Sequence, residues 1–124
     1  MRLWKISVIA PLLALPLATG TVVALPAAAS AASCATMSFT NPYIGSPMEI
    51  PAATLSDGSA GPCVVILQQD LNFTINAKLK VDGIFGPNTL AAVKTYQGQN
   101  LACTRGVDGI AGHYTMSCLV AGSG

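Results

Sequence analysis

The chain has 124 residues, of which 52% are hydrophobic and only 9% charged, against roughly 25% charged in an ordinary soluble domain. The length allows one small domain and leaves no room for a second sizeable core. Six basic and five acidic side chains give a formal charge of +1, which is no electrostatic footprint for nucleic acid and excludes disorder driven by charge.

In chain order, Met1-Arg2-Leu3-Trp4-Lys5 is a short basic start, Ile6 to Leu17 a nearly unbroken apolar run, and Ala27 to Ala32 a string of small residues. That is the three-part grammar of a secretory signal peptide, with cleavage expected after Ala31 or Ala32. A retained anchor is the poorer reading, because Pro11 and Pro16 interrupt a run that is already shorter than the roughly 20 residues of a spanning helix. Residues 33–124 then hold 42 apolar side chains among 92, with four basic and five acidic ones. The apolar content becomes ordinary, while the shortage of charge persists.

Residues 33–60 are rich in Ser, Thr, Pro and Ala, and Pro42, Pro47 and Pro51 break any long element. They read as an extended N-terminal arm, tied down by Cys34, in which Met48-Glu49-Ile50 is a short edge strand. The folded core is expected to begin near Gly61, with a compact domain over 61–120 and a tail over 121–124. Gly61-Pro62 opens a first helix, about 62–72, that puts Val64, Leu67 and Leu71 on one face. Val81-Asp82-Gly83-Ile84-Phe85-Gly86 returns as Val107-Asp108-Gly109-Ile110-Ala111-Gly112, 26 residues later. Each copy is a tight Asp-Gly turn leading into a helix. The second helix, about 87–98, aligns Thr89, Val93 and Tyr96 and stops at Gly98; the third, about 113–120, aligns Thr115 and Leu119. The fold class is therefore mainly α: three helices in two pseudo-equivalent halves that share the middle helix. Two copies are too few for a solenoid.

All four cysteines, Cys34, Cys63, Cys103 and Cys118, lie beyond the leader, and an even count in a small exported domain reads as two disulfides. Of three possible pairings, Cys34–Cys63 with Cys103–Cys118 closes the shortest loops, each bridge contributing on the order of 3 kcal/mol; Cys63–Cys103 with Cys34–Cys118 is the runner-up. No C-x-x-C pair exists and His113 is the only histidine, so a metal site is not expected. Ala31-Ala32-Ser33-Cys34 loosely resembles a lipoprotein cleavage box, but lacks the usual Leu and would leave an odd number of thiols.

From Gly61 to Leu119 the chain resembles the peptidoglycan-binding domain family, the small three-helix modules appended to many cell-wall hydrolases. The residues that carry the resemblance are Val64, Leu67-Gln68 and Leu71; then Val81-Asp82-Gly83, Phe85-Gly86, Thr89, Ala92-Val93 and Tyr96-Gln97; then Val107-Asp108-Gly109-Ile110 and Gly112. Tyr96 replaces the usual Phe. The link from Gln97 to Val107 is a few residues longer than usual, and its extra stretch, Ala102 to Gly106, contains Cys103, which suits a disulfide holding that loop to the third helix. The Ala-rich leader and paired cysteines are similar to those of actinobacterial secreted proteins.

An enzyme needs a nucleophile or a metal with a positioned base. His113 begins a helix at the position of Pro87, so a structural role in the first turn is the simpler account. The carboxylates available for a glycosidase pair are Glu49, Asp57, Asp70, Asp82 and Asp108, and the last two are explained by their turns. The protein is not expected to be an enzyme. Asn72-Phe73-Thr74 is a glycosylation sequon by pattern, idle in a bacterial protein.

The resemblance implies a secreted, non-catalytic module without cofactor or metal, extracellular or associated with the cell wall. Its partner would be peptidoglycan, through glycan or stem peptide. No nucleic acid, no membrane after leader removal and a monomeric state are expected. The implied site is a shallow surface between the second and third helices, with Asn88, His113 and Tyr114 as contacts and Asp82 and Asp108 as possible acceptors for amides or amines. The other reading is a secreted interaction protein that uses the same fold to bind or regulate another protein, such as a wall hydrolase. A tiny hydrolase centred on His113 is the weakest.

Overall fold

The computed structural model describes residues 33–123; the expected leader and Gly124 lie outside the described residues. The element order is β1 (Thr36–Thr40), β2 (Pro47–Pro51), α1 (Pro62–Ile75), α2 (Pro87–Gln99), α3 (Leu101–Thr104) and α4 (His113–Ser123). The three expected helices are present, each running a little further than its apolar pattern, and a one-turn fourth is added. Gly98 does not stop α2. The helix ends one residue beyond it, at Gln99, where the Asn100 side chain donates back to the Tyr96 carbonyl at 2.9 Å.

The stretch read as an arm is extended, but it is folded rather than free. β1 and β2 form an antiparallel hairpin in which Met37 faces Ile50 and Phe39 faces Met48, so alternate side chains point to one face. That face lies on α4, and Ile50 is fully buried. The tip is built by Asn41: its side-chain oxygen accepts from the Tyr43 N–H at 2.9 Å, and its carbonyl accepts from Ile44 and Gly45. The same side chain, itself buried, donates to Ser117 Oγ at 2.9 Å and to the Cys103 carbonyl at 3.1 Å. One asparagine thus turns the hairpin and fastens it to α3 and α4.

Residues 52–61 then pass both Asp-Gly turns. Leu55 and Ala111 exchange backbone hydrogen bonds of 3.0 and 2.8 Å, and Phe85 donates to the Ser59 carbonyl at 2.9 Å. Ala111 and Phe85 are equivalent positions of the repeat, so this strip ties the two halves together. The core accordingly starts before Gly61: Ile50 and Leu55 join Val64, Leu67, Leu71, Phe85, Val93 and Leu119 in one cluster. The expected boundary missed them because their apolar side chains are too sparse to show a period.

Both expected disulfides are present, Cys34–Cys63 joining the irregular segment before β1 to α1 and Cys103–Cys118 joining α3 to α4. The insertion Ala102 to Gly106 supplies most of α3 and so carries Cys103 to its partner. No described helix is long and apolar enough to cross a membrane.

Deleting most of a buried Ile side chain typically costs 2–5 kcal/mol. Ile50→Ala is expected to destabilise the oxidised protein by about 3 kcal/mol in urea unfolding, whereas a loss below about 0.5 kcal/mol would mean that the hairpin is not docked.

Candidate functional site

Each Asp-Gly turn is gripped by a buried glutamine from an earlier long helix. Gln68 of α1 accepts at Oε1 from the N–H groups of Asp82 (3.1 Å) and Gly83 (2.9 Å). Its Nε2 donates to Asp82 Oδ1, the Ile84 carbonyl and Thr89 Oγ1 at 3.0–3.2 Å. Gln97 of α2 repeats this on Asp108, Gly109, Ile110 and Thr115 at 2.9–3.1 Å. Both aspartates also accept from the N–H two residues on. Gly109 sits at φ +77, in the left-handed region that favours glycine, and a Cβ there would also push aside the tip of the Leu90 side chain.

These grips fix the backbone of two of the five expected ligand residues, whose side chains stay exposed. Asp82 and Asp108 each spend one carboxylate oxygen on their own turn. His113 and Tyr114 are half-buried and turn toward the hairpin. Phe39 meets the His113 ring at 5.5 Å and the Tyr114 ring edge-on at 5.4 Å. Arg105 lies 4.3 Å over Tyr114, and His113 Nε2 sits 3.2 Å from the Ala52 carbonyl. Asn88, by contrast, is exposed and lines a cleft. The expected surface therefore divides into an aromatic cluster on the hairpin side and a groove beside α2.

The groove has α2 as one wall and the link after α1 as the other. One cleft of about 300 Å³, at the start of α2, is lined by Leu79, Lys80, Ile84, Pro87 and Asn88. A second of about 380 Å³ continues over Ile75, Leu79, Ala91, Ala92 and Thr95. The link is fixed by Asn72, which donates to the Leu79 carbonyl at 3.0 Å and accepts from the Leu79 N–H at 2.6 Å. The amide of the sequon is thereby consumed. Among the described residues, no group of three or more His, Cys, Asp or Glu could hold a metal ion.

Residues 60–119 match the profile of the peptidoglycan binding domain family. The crystal structure of the SleB N-terminal domain is similar at 30% identity with a TM-score of 0.54, over 60% of this chain and 99% of that one. The chain belongs to the peptidoglycan binding domain family. No curated protein matches it. Both glutamine-gripped turns and the groove lie within the segment matched to the family, whereas the hairpin lies before it.

Sequence reasoning named Gln68 and Gln97 only within the family pattern and missed the far wall of the groove, Ile75 to Lys80. A signal for the grips was available: each glutamine precedes an Asp-Gly, and each aspartate is followed seven positions on by a threonine. For the wall there was none, because its shape depends on Asn76 and Lys78 adopting positive φ angles of 52° and 56°, which local sequence does not announce.

Two carboxyls respond to the fold in opposite senses. Asp82 is held below its ordinary 3.8, first by the Gln68 amide and then by the Ile84 N–H, so its contribution to stability is present above that value and lost as pH falls through the lowered one. Asp70 is raised, because burial outweighs its hydrogen bond to Ser123, so its ionisation costs stability as pH rises past 3.8. Burial, followed by the nearby Asp70 charge, pushes the Tyr96 phenol up to about 12. Asp70→Asn is expected to raise the melting temperature near neutral pH, the gain vanishing below about pH 3; a gain that persists in acid would contradict this assignment. Gln68→Met leaves two turn N–H groups without their acceptor and should cost about 3 kcal/mol in urea unfolding, while a loss under about 0.5 kcal/mol would show that the grip adds little.

Proposed function

We propose that this is an exported, non-catalytic protein that binds peptidoglycan at the cell wall. The observation that carries the reading is the match of residues 60–119 to the peptidoglycan binding domain family, supported by likeness to the SleB N-terminal domain. The chemistry of the side chains agrees. The only histidine lies 3.2 Å from the Ala52 carbonyl, and Asp82 and Asp108 each commit one oxygen to their turns. Export rests on the leader at residues 1–32 and on two disulfides, which persist in oxidising compartments.

In this reading Asn88 contacts the ligand directly, exposed Asp82 and Asp108 each keep one carboxylate oxygen free to accept from it, and His113 and Tyr114 brace the hairpin. The protein acts as a monomer without a cofactor. Residues 33–124 carry four positive and five negative side chains, so long-range attraction to an anionic wall is weak and affinity rests on local contacts. The hairpin lies outside the segment matched to the family and exposes Tyr43 at its tip, which supports the second reading, recognition of another protein such as a wall hydrolase.

Co-sedimentation of the oxidised protein with purified, protein-free cell walls separates the two. Retention that falls by less than about tenfold between low and high salt is the expected result. A clear supernatant containing all the protein would overturn wall binding and favour the protein partner. Collapse of binding at modest salt would contradict local recognition.

A further inference from the structure

The two clefts beside α2 share Leu79, Lys80 and Asn88. A third, of about 390 Å³ and lined by Phe73, Tyr96, Gln99 and Asn100, adjoins the second at Ile75. Together they make a continuous groove along α2, whose 13 residues correspond to roughly 20 Å at 1.5 Å per residue. An extended peptide of about six residues has that length.

The far wall gives the groove its chemistry. Fixed by Asn72 through Leu79, and bent by the left-handed backbone at Asn76 and Lys78, it tucks Leu79 in while leaving Lys78 and Lys80 exposed. Two of the four cations of residues 33–124 thus stand within three positions at the middle of the groove, over an apolar floor of Ile75, Leu79, Ala91 and Ala92. The nearby acids are at the ends. Asp82 at one end has Oδ1 committed to its turn, and Asp70, beside Tyr96 at the other, is half-buried.

Resting on the wall-binding reading above, we propose that this groove takes the peptide part of peptidoglycan, laid along α2 as an extended chain with its carboxylates against Lys78 and Lys80. Small apolar side chains of the peptide contact Leu79, Ala91 and Ala92, and Asn88 offers both a donor and an acceptor to its backbone. The glycan then projects outside the groove.

Isothermal titration of the full oxidised protein with three soluble probes tests this: a wall stem peptide with free carboxylates, the same peptide with its carboxylates amidated, and glycan strands stripped of peptide. The free peptide is expected to bind, amidation to weaken it by about tenfold, and Lys78→Glu with Lys80→Glu to weaken it by about thirtyfold. Lys78→Arg with Lys80→Arg and the remote Tyr43→Ser should stay within about threefold of the parent. The altered lysines are exposed, so melting temperatures should match the parent. The amidated peptide tests the same contact on the unaltered protein if a variant fails to fold. Binding to stripped glycan but not to peptide, or affinity indifferent to both amidation and charge reversal, would overturn the groove assignment while wall binding stands. Failure to bind intact walls as well would instead overturn the wall-binding reading itself.

Discussion

A primary amide offers two N–H donors and an oxygen with two lone pairs. Gln68 and Gln97 spend all of them on the next Asp-Gly turn and the helix start beyond it. Each amide oxygen takes two consecutive backbone N–H groups. Each amide nitrogen reaches the turn's aspartate, a carbonyl beyond it, and the threonine in the first turn of the next helix. Helix, turn and helix are thereby coupled through one buried point. Because α2 supplies Thr89 to the first grip and Gln97 to the second, the two points share a helix and the module is fixed along its length.

This constraint uses neutral groups in the interior of a chain that is only 9% charged. A turn that would otherwise need solvent is satisfied by neutral buried amides, and the exposed carboxylates of Asp82 and Asp108 complete the pattern with one oxygen each. What surrounds the framework is stitched to it at few places. The hairpin is held by Ile50, by Asn41 and by the Cys34–Cys63 bridge; the inserted loop is held by Cys103–Cys118. The groove follows from the same economy, since the link after α1 is shaped by one asparagine, Asn72, acting as both donor and acceptor.

The parts legible in the sequence are those with a local physical signal. Proline and glycine at helix starts, period-3.6 apolar residues and the repeated Val-Asp-Gly-Ile located three helices and both turns. Loop length pointed to the disulfide pairing now seen. The glutamine grips were less visible because the two copies are not equally spaced: Gln68 lies 14 residues before Asp82 and Gln97 lies 11 before Asp108, so a repeat read at one offset aligns the turns and misaligns the helices. The hairpin was read only as an extended arm, since its inward residues are separated by Ser, Thr and Pro and bury themselves on α4, far along the chain. Of the site residues, Asn88 was placed on an open surface by its position at a helix start, and Asn88 does line the groove. Tyr114 and His113 follow the same positional logic but meet Phe39, a contact that only the docked hairpin creates.

Amide hydrogen exchange of the oxidised protein tests the central claim most directly, that the Asp-Gly turns belong to the core through their glutamines. The N–H groups of Gly83 and Gly109 are expected to exchange as slowly as those of Leu71 and Leu119 in the helices, at the rate set by global unfolding. Exchange at the speed of an exposed turn at either glycine would contradict the account.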